Sequence, residues 1–250
     1  MKYKLLIIIV LSLFASFTSC KKAPLTIGKI VTEKRALSNF NEVHLYDNIS
    51  LTLVRSDTCY IIITTGKNII ENVTTNVDGN ILTISNTSSL DWIRPYDYEL
   101  HATLYYKDIT NFIFASSGYL DTENQFNNDS VSTSYKLEID GGSGDIELLV
   151  NNCHDFNTIY YYGTSRVNLH GKGNENLYIY KKSYGIVDAR DFHTQHIAIQ
   201  HNSVGDCYIW ATESINAEIY NLGDIYYKGN PQDIVCKYGE YSKGKLIKLE

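Results

Sequence analysis

The chain has 250 residues, 12% of them aromatic and 20% charged, with 21 Tyr but only 3 Pro and 1 Met. A net charge of −6 and a pI near 5.6, without any basic block, argue against a nucleic-acid partner, whose phosphates need clustered Lys and Arg. The 44% hydrophobic fraction is enough for a packed core and excludes a chain disordered throughout; the length suits one domain or two small ones.

The first segment reads as an address. Lys2 and Lys4 precede a thirteen-residue apolar run, Leu5 to Phe17, broken only by Ser12 and Ser16. That run is too short to span a bilayer comfortably and ends in small residues, as an export signal does. Phe17-Thr18-Ser19-Cys20 then resembles a bacterial lipobox, with Phe17 where Leu is usual. The expectation is a signal peptide over residues 1–19 and lipidation of Cys20, so that the partner at this end is a membrane. An ordinary secretory signal with a chance Cys is the alternative. Lys21 and Lys22 would sit beside the anchor, within reach of anionic headgroups. Residues 20–34, with Pro24, Gly28 and mixed charge, read as a tether.

From residue 35 onward the chain reads as all-β. Helix-period stripes are absent, and Thr, Ile, Val and Tyr alternate with period 2, as in Val43/Leu45, Ile49/Leu51/Leu53 and Leu82/Ile84. Asp78-Gly79-Asn80 is a hairpin or corner signal, and a short helix is conceivable only near Lys67 to Val73. The second half repeats. Gly144, Gly163, Gly185, Gly205, Gly223 and Gly239 are separated by 19, 22, 20, 18 and 16 residues, and Gly118 opens the series. Two residues after each glycine stand Leu120, Ile146, Ser165, Val187, Cys207, Ile225 and Tyr241. A second alternating pair precedes the next glycine: Leu137/Ile139, Ile159/Tyr161, Leu177/Ile179, Ile197/Ile199, Ala217/Ile219 and Ile234/Cys236. Each unit reads as glycine turn, strand, polar corner, strand, and one unit alone has nowhere to bury its apolar face. Stacking predicts a parallel β-helix, a solenoid of about 19-residue coils rising roughly 4.8 Å each. The glycines are expected to supply positive φ at the corners. Residues 35–110 are expected to form a less regular N-terminal β layer over one end. A β-sandwich is the competing architecture.

The residues also resemble a known family. Arg35-Ala-Leu-Ser-Asn-Phe40 with Val43 and Leu45, the strand pair around Val77-Asp-Gly-Asn-Ile-Leu-Thr-Ile84, the Gly141-Gly-Ser-Gly-Asp-Ile146 turn and Leu222-Gly-Asp-Ile-Tyr-Tyr-Lys-Gly-Asn-Pro231 are similar to the head GIN domain of auto-transporter adhesin type. The resemblance covers roughly residues 35–248, and residues 35–250 are read as one domain. It implies a right-handed parallel β-helix, a bacterial envelope location and an adhesive or surface-binding role, and it implies no catalytic residues. The chain departs from the pattern where Gly118 lacks a following Asp and an Asn-rich corner runs from Asn124 to Ser130.

Several constellations invite chemistry. Stacked Gly-Asp corners at 144–145, 205–206 and 223–224 would bring Asp206 and Asp224 near each other, which permits Ca²⁺, although Asp and Gly are also favoured turn residues. His193, His196 and His201 lie close in sequence, but residues 193 and 196 face opposite sides of a strand, so exposed polar corners are the alternative to zinc. No metal and no cofactor is assigned. Asp188, Arg190 and Asp191 with Lys181 and Lys182 are the candidates for carbohydrate-active chemistry, and a solvated ion pair is the alternative. Tyr178, Tyr208 and Tyr226 fall opposite the inward rows, where a flat ring with a hydroxyl suits glycan or protein contact. Cys59, Cys153, Cys207 and Cys236 allow at most one unassigned disulfide, and Cys207 and Cys236 occupy inward rows. The expectation is a lipid-anchored, non-enzymatic envelope protein with a recognition surface. The alternatives are an enzyme on the same scaffold and a purely structural component.

Overall fold

A computed structural model describes residues 26–88, 98–127 and 132–250. The export segment, Cys20 and part of the Asn-rich corner lie outside the described residues. The chain opens with β1 (Ile30–Ala36), β2 (Glu42–Asp47), β3 (Ser50–Arg55) and β4 (Tyr60–Gly66). A 3-10 turn at Ile70–Asn72, inside the stretch where a short helix was conceivable, leads to β5 (Val73–Asp78), β6 (Ile81–Asn86) and β7 (Leu100–Tyr106). Next come β8 (Asn111–Ser116), β9 (Leu120–Thr122), β10 (Ser134–Asp140), β11 (Ile146–Leu149) and β12 (Asp155–Tyr162). Three long strands, β13 (Arg166–Lys181), β14 (Ile186–His201) and β15 (Cys207–Ile219), each belong to two walls, and β16 (Ile225–Lys228), β17 (Asp233–Tyr238) and β18 (Leu246–Lys248) follow.

The pairings build a parallel β-solenoid with two walls. The first wall stacks β6, β2, β8, β10, β12, the C-terminal parts of β13, β14 and β15, and β17. The second stacks β7, β3, β9, β11, the N-terminal parts of β13, β14 and β15, then β16 and β18. Like residues stand one above another. Ala102, Leu51, Leu120, Ile146, Val167, Val187, Cys207, Ile225 and Leu246 form a continuous inner row of register partners. Opposite, Tyr135, Phe156, Leu177, Ile197, Ile215 and Ile234 form another. Each aliphatic so buried contributes on the order of 1.5–3 kcal/mol.

Three local expectations are corrected. In β12 the buried residues are Phe156, Thr158 and Tyr160, not Ile159 and Tyr161, because Ile139 stands over Tyr160 and the extra residue is absorbed before Asp140. Ser165 and Tyr241 are not row residues; Val167 and Leu246 are, so the corner positions are Ser165 and Gly244 rather than Gly163 and Gly239. Of the glycine series, Gly163 has the expected positive φ, +103°, but Gly118, Gly144, Gly185, Gly205, Gly223 and Gly239 lack it, as does Gly244. Close approach selects them: a Cβ on Gly144 would overlap the Gly118 carbonyl, and one on Gly244 the Gly223 carbonyl. The rungs are stacked so tightly at this corner that only a hydrogen fits.

The less regular N-terminal layer is present as β1, β4 and β5. β4 runs antiparallel to β7, β1 to β4, and β5 to β6 through the hairpin at Gly79, whose φ is +59°. β1 begins at Ile30, so the chain enters the fold within the stretch expected as tether. Residues 35–110 are not all cover, however: β2, β3, β6 and β7 are rungs of the column itself. Cys59, Cys153, Cys207 and Cys236 are all free thiols.

Candidate functional site

The three candidate tyrosines lie on two different outer walls. Tyr178 lies on the first, in a row of register partners running Asn157, Tyr178, Ala198, Asn216. The neighbouring row runs Ile159, Tyr180, Gln200, Glu218. Tyr178 is 42% exposed, and the rung beyond it drops to the methyl group of Ala198. The result is a groove of about 310 Å³, with Tyr178 and Tyr180 on one rung, Ala198 in the middle, and Asn157, Gln200 and Asn216 presenting amides. Tyr161 packs edge-on against Tyr180, with ring centroids 5.8 Å apart. Tyr180 shares the parity of Tyr178, so period 2 predicts its place beside it; Ile159 faces outward because the inward residues of β12 are Phe156, Thr158 and Tyr160.

Tyr208 and Tyr226 lie on the second wall as direct register partners, stacked with centroids 5.0 Å apart and planes 12° from parallel. The Arg190 guanidinium lies 4.4 Å from the Tyr208 ring centre, a cation–π contact. The Tyr226 hydroxyl donates to Asp224 at 3.2 Å. Val187 and Ala189 point inward, and Asp188 and Arg190 therefore point out, as period 2 requires. Asp188 accepts from Arg190 Nε at 2.8 Å and Arg166 Nη2 at 3.1 Å. Burial pushes its carboxyl up, but the Arg190 side chain and backbone and the Arg166 guanidinium outweigh it, so the group sits below the usual carboxylate range. This aspartate is committed to two arginines.

Lys181 does not join that group. It lies in the interior on the other wall, fully buried, donating to Ser203 Oγ at 2.9 Å and to the Gly205 carbonyl. The proposed constellation of Asp188, Arg190, Asp191, Lys181 and Lys182 is therefore not one site, because period 2 sends Lys181 inward as the register partner of Tyr160 and His201. The histidines also separate. His193 packs on Trp210 with centroids 3.7 Å apart, and His196 contacts Ser214 at 2.9 Å. His201 is not an exposed corner residue but a buried one, with Nε2 2.9 Å from the Gly205 carbonyl. Burial, then the neighbouring Lys181 charge, holds its imidazole down at about 4. Burial likewise holds the Lys181 ammonium below its ordinary range.

The Gly-Asp corners form a backbone ladder. Asp206 Oδ1 accepts the Asp224 N–H at 2.9 Å, and Asp224 Oδ1 accepts the Lys245 N–H at 2.8 Å. Each carboxylate satisfies an amide that the turning chain would otherwise leave unpaired. Among the described residues no group of three or more His, Cys, Asp or Glu is placed to hold a metal ion, and no helix is long and apolar enough to cross a membrane.

Solved structures share this architecture. A putative adhesin from Bacteroides fragilis superposes with a TM-score of 0.75 at 20% identity, over 88% of this chain and 97% of that one. A putative lipid binding protein from Parabacteroides distasonis gives 0.67 at 18% identity, over 89% and 98%. A putative adhesin from the same species gives 0.62 at 16% identity, over 89% and 98%. At these identities the likeness concerns the fold. No curated protein matches the sequence. The family model described as "Putative auto-transporter adhesin, head GIN domain" matches residues 39–231, three quarters of the chain, and the chain belongs to that family.

Proposed function

We propose that this chain is a non-enzymatic envelope protein, anchored by lipid on Cys20, that recognises a glycan through the groove beside Tyr178 and Tyr180. The observation that carries the reading is the local break in the outer row, where Ala198 follows Tyr178. A sugar ring needs a flat apolar partner for its C–H face and directional donors and acceptors for its hydroxyls. Tyr178 and Tyr180 supply the first, while Asn157, Gln200 and Asn216 supply the second. The Arg166–Asp188–Arg190 cluster supports a surface role rather than catalysis, since its carboxylate is already doubly paired.

The test is a glycan array with the full chain, followed by titration of any hit. Tyr178→Ala should weaken binding at least tenfold, about 1.4 kcal/mol, while Tyr208→Ala with Tyr226→Ala leaves it unchanged. Loss of binding in the second variant alone would move the site to the other wall and overturn the groove. Turnover of the bound glycan would overturn the non-enzymatic reading. The anchor is tested separately by Cys20→Ala, which should shift the protein from the membrane to the soluble fraction; retention in the membrane would count against lipidation.

A further inference from the structure

The two ends of the column are finished differently. At the N-terminal end β1, β4 and β5 run antiparallel to the rungs and cover them. At the other end, among the described residues, β17 pairs only with β15 and β18 only with β16, so the outer edge of β17 has no strand partner. The interior is open there as well. Along one inner row Ile197 is 2% exposed and Ile215 1%, but Ile234 on the last rung is 43% exposed. Its neighbour Val235 is 52% exposed. An unpaired six-residue edge with Ile234 and Val235 exposed at its centre is a template for another strand.

The sequence of β17 indicates which strand. It reads Asp-Ile-Val-Cys-Lys-Tyr from Asp233 to Tyr238, and its two charges lie two residues either side of Val235. Asp233, Val235 and Lys237 share the outer side, since each stands in register with Ser214, Asn216 and Glu218 of β15, while Ile234 and Cys236 continue the inner rows. An antiparallel copy centred on Val235 therefore sets Asp233 against Lys237 of the other molecule twice over. The same register sets Ile234 against Cys236 across the inner face. Lys237 also lies 3.4 Å from Glu218, but it is 68% exposed and that surface pair is weak enough to yield. We propose that the occupant of this edge is a second copy of the chain, and that two columns join end to end by antiparallel β17–β17 pairing about a two-fold axis through Val235. Such a contact is self-complementary, as a two-fold interface must be. Parallel stacking or a register slipped by two residues would lose the charge match.

The experiment uses the full chain carrying Val235→Cys with Cys236→Ser. A residue facing its own copy in an antiparallel pair has Cα atoms about 4.5–5.5 Å apart, within disulfide range. Mild oxidation should convert this variant to a covalent dimer on a non-reducing gel, while Val204→Cys, at a corner position 43% exposed against 52% for Val235, stays monomeric. Adding Lys237→Asp sets like charges opposite each other and should abolish the dimer. Adding Asp233→Lys to that variant restores the match and should restore the dimer, which also shows that the variants fold. Cross-linking at residue 235 no greater than at 204, failure of the exchanged charges to rescue, or capture of a species of another mass would overturn the proposal.

Discussion

Lys181 and His201 stand in a row whose other inner residues include Leu45, Phe114, Ile139, Tyr160 and Ile219. Both point at the corner where Gly205 turns the chain, and both donate to its carbonyl. The imidazole is therefore the neutral tautomer with the proton on Nε2, and its Nδ1 has no partner among the described residues. Protonation would place a second buried cation beside Lys181. This has a consequence for stability with a definite sign. The folded value of about 4 lies below the ordinary 6.5, so the unfolded chain binds the proton more readily. The stabilisation is complete above pH 6.5 and is lost as pH falls from there through 4. Between pH 7 and pH 4 it amounts to about 3 kcal/mol. Urea unfolding at those two pH values should show the wild-type chain losing about 3 kcal/mol more than His201→Leu. Equal losses would mean that the histidine is already charged in the fold or is not buried.

At the scale of the element, the corner carries more information than the strand. Its motif is Ser-x-Gly, seen in Ser116–Gly118, Ser183–Gly185, Ser203–Gly205 and Ser242–Gly244. The glycine admits the carbonyl of the adjacent rung, and the serine hydroxyl donates to a carbonyl one rung away: Ser183 Oγ to Gly163 at 2.7 Å, Ser242 Oγ to Asn221 at 3.2 Å. The glycine spacing was legible in the sequence and led to the solenoid; the serine two residues earlier was there to be read and marks the corner better. At residues 163–165 the glycine and the corner residue exchange places, with Gly163 at φ +103° and Ser165 buried at the bend. Counting from glycine alone therefore slips the row. A one- or two-residue slip is invisible to composition, yet it decides which side chains face out. That is also why Tyr178, Tyr208 and Tyr226 could be identified as outward but not sorted between walls: parity tells in from out, and only the fold tells one wall from the other. The groove at Ala198 needed the register of three rungs at once.

At the scale of the molecule, the rungs do not all follow chain order. From β10 onward each rung lies on the one before it, but the first rungs are interleaved. β2 lies between β6 and β8, and β3 between β7 and β9, so the first coil of the chain is enclosed by the second and the third. The link from β7 to β8 passes the enclosed coil, where Asn41 accepts the Thr110 N–H at 2.8 Å. A stack in chain order can be peeled one rung at a time, because each rung contacts only its neighbours. An interleaved one cannot: β2 and β3 are held on both sides until β8 and β9 leave, and the antiparallel strands β1, β4 and β5 brace the far side. Tension applied to single molecules through the two ends should therefore open the column from β18 backwards. Successive rungs along the inner row Leu120, Ile146, Val167, Val187, Cys207, Ile225, Leu246 are 18 to 26 residues apart. At about 3.5 Å per residue each step releases about 60–90 Å. The interleaved unit from β2 to β9 should then yield in one larger event of about 280 Å. A single extension of the whole chain would show that cooperativity spans every rung, and equal small steps to the end would show that the interleaving confers no added resistance.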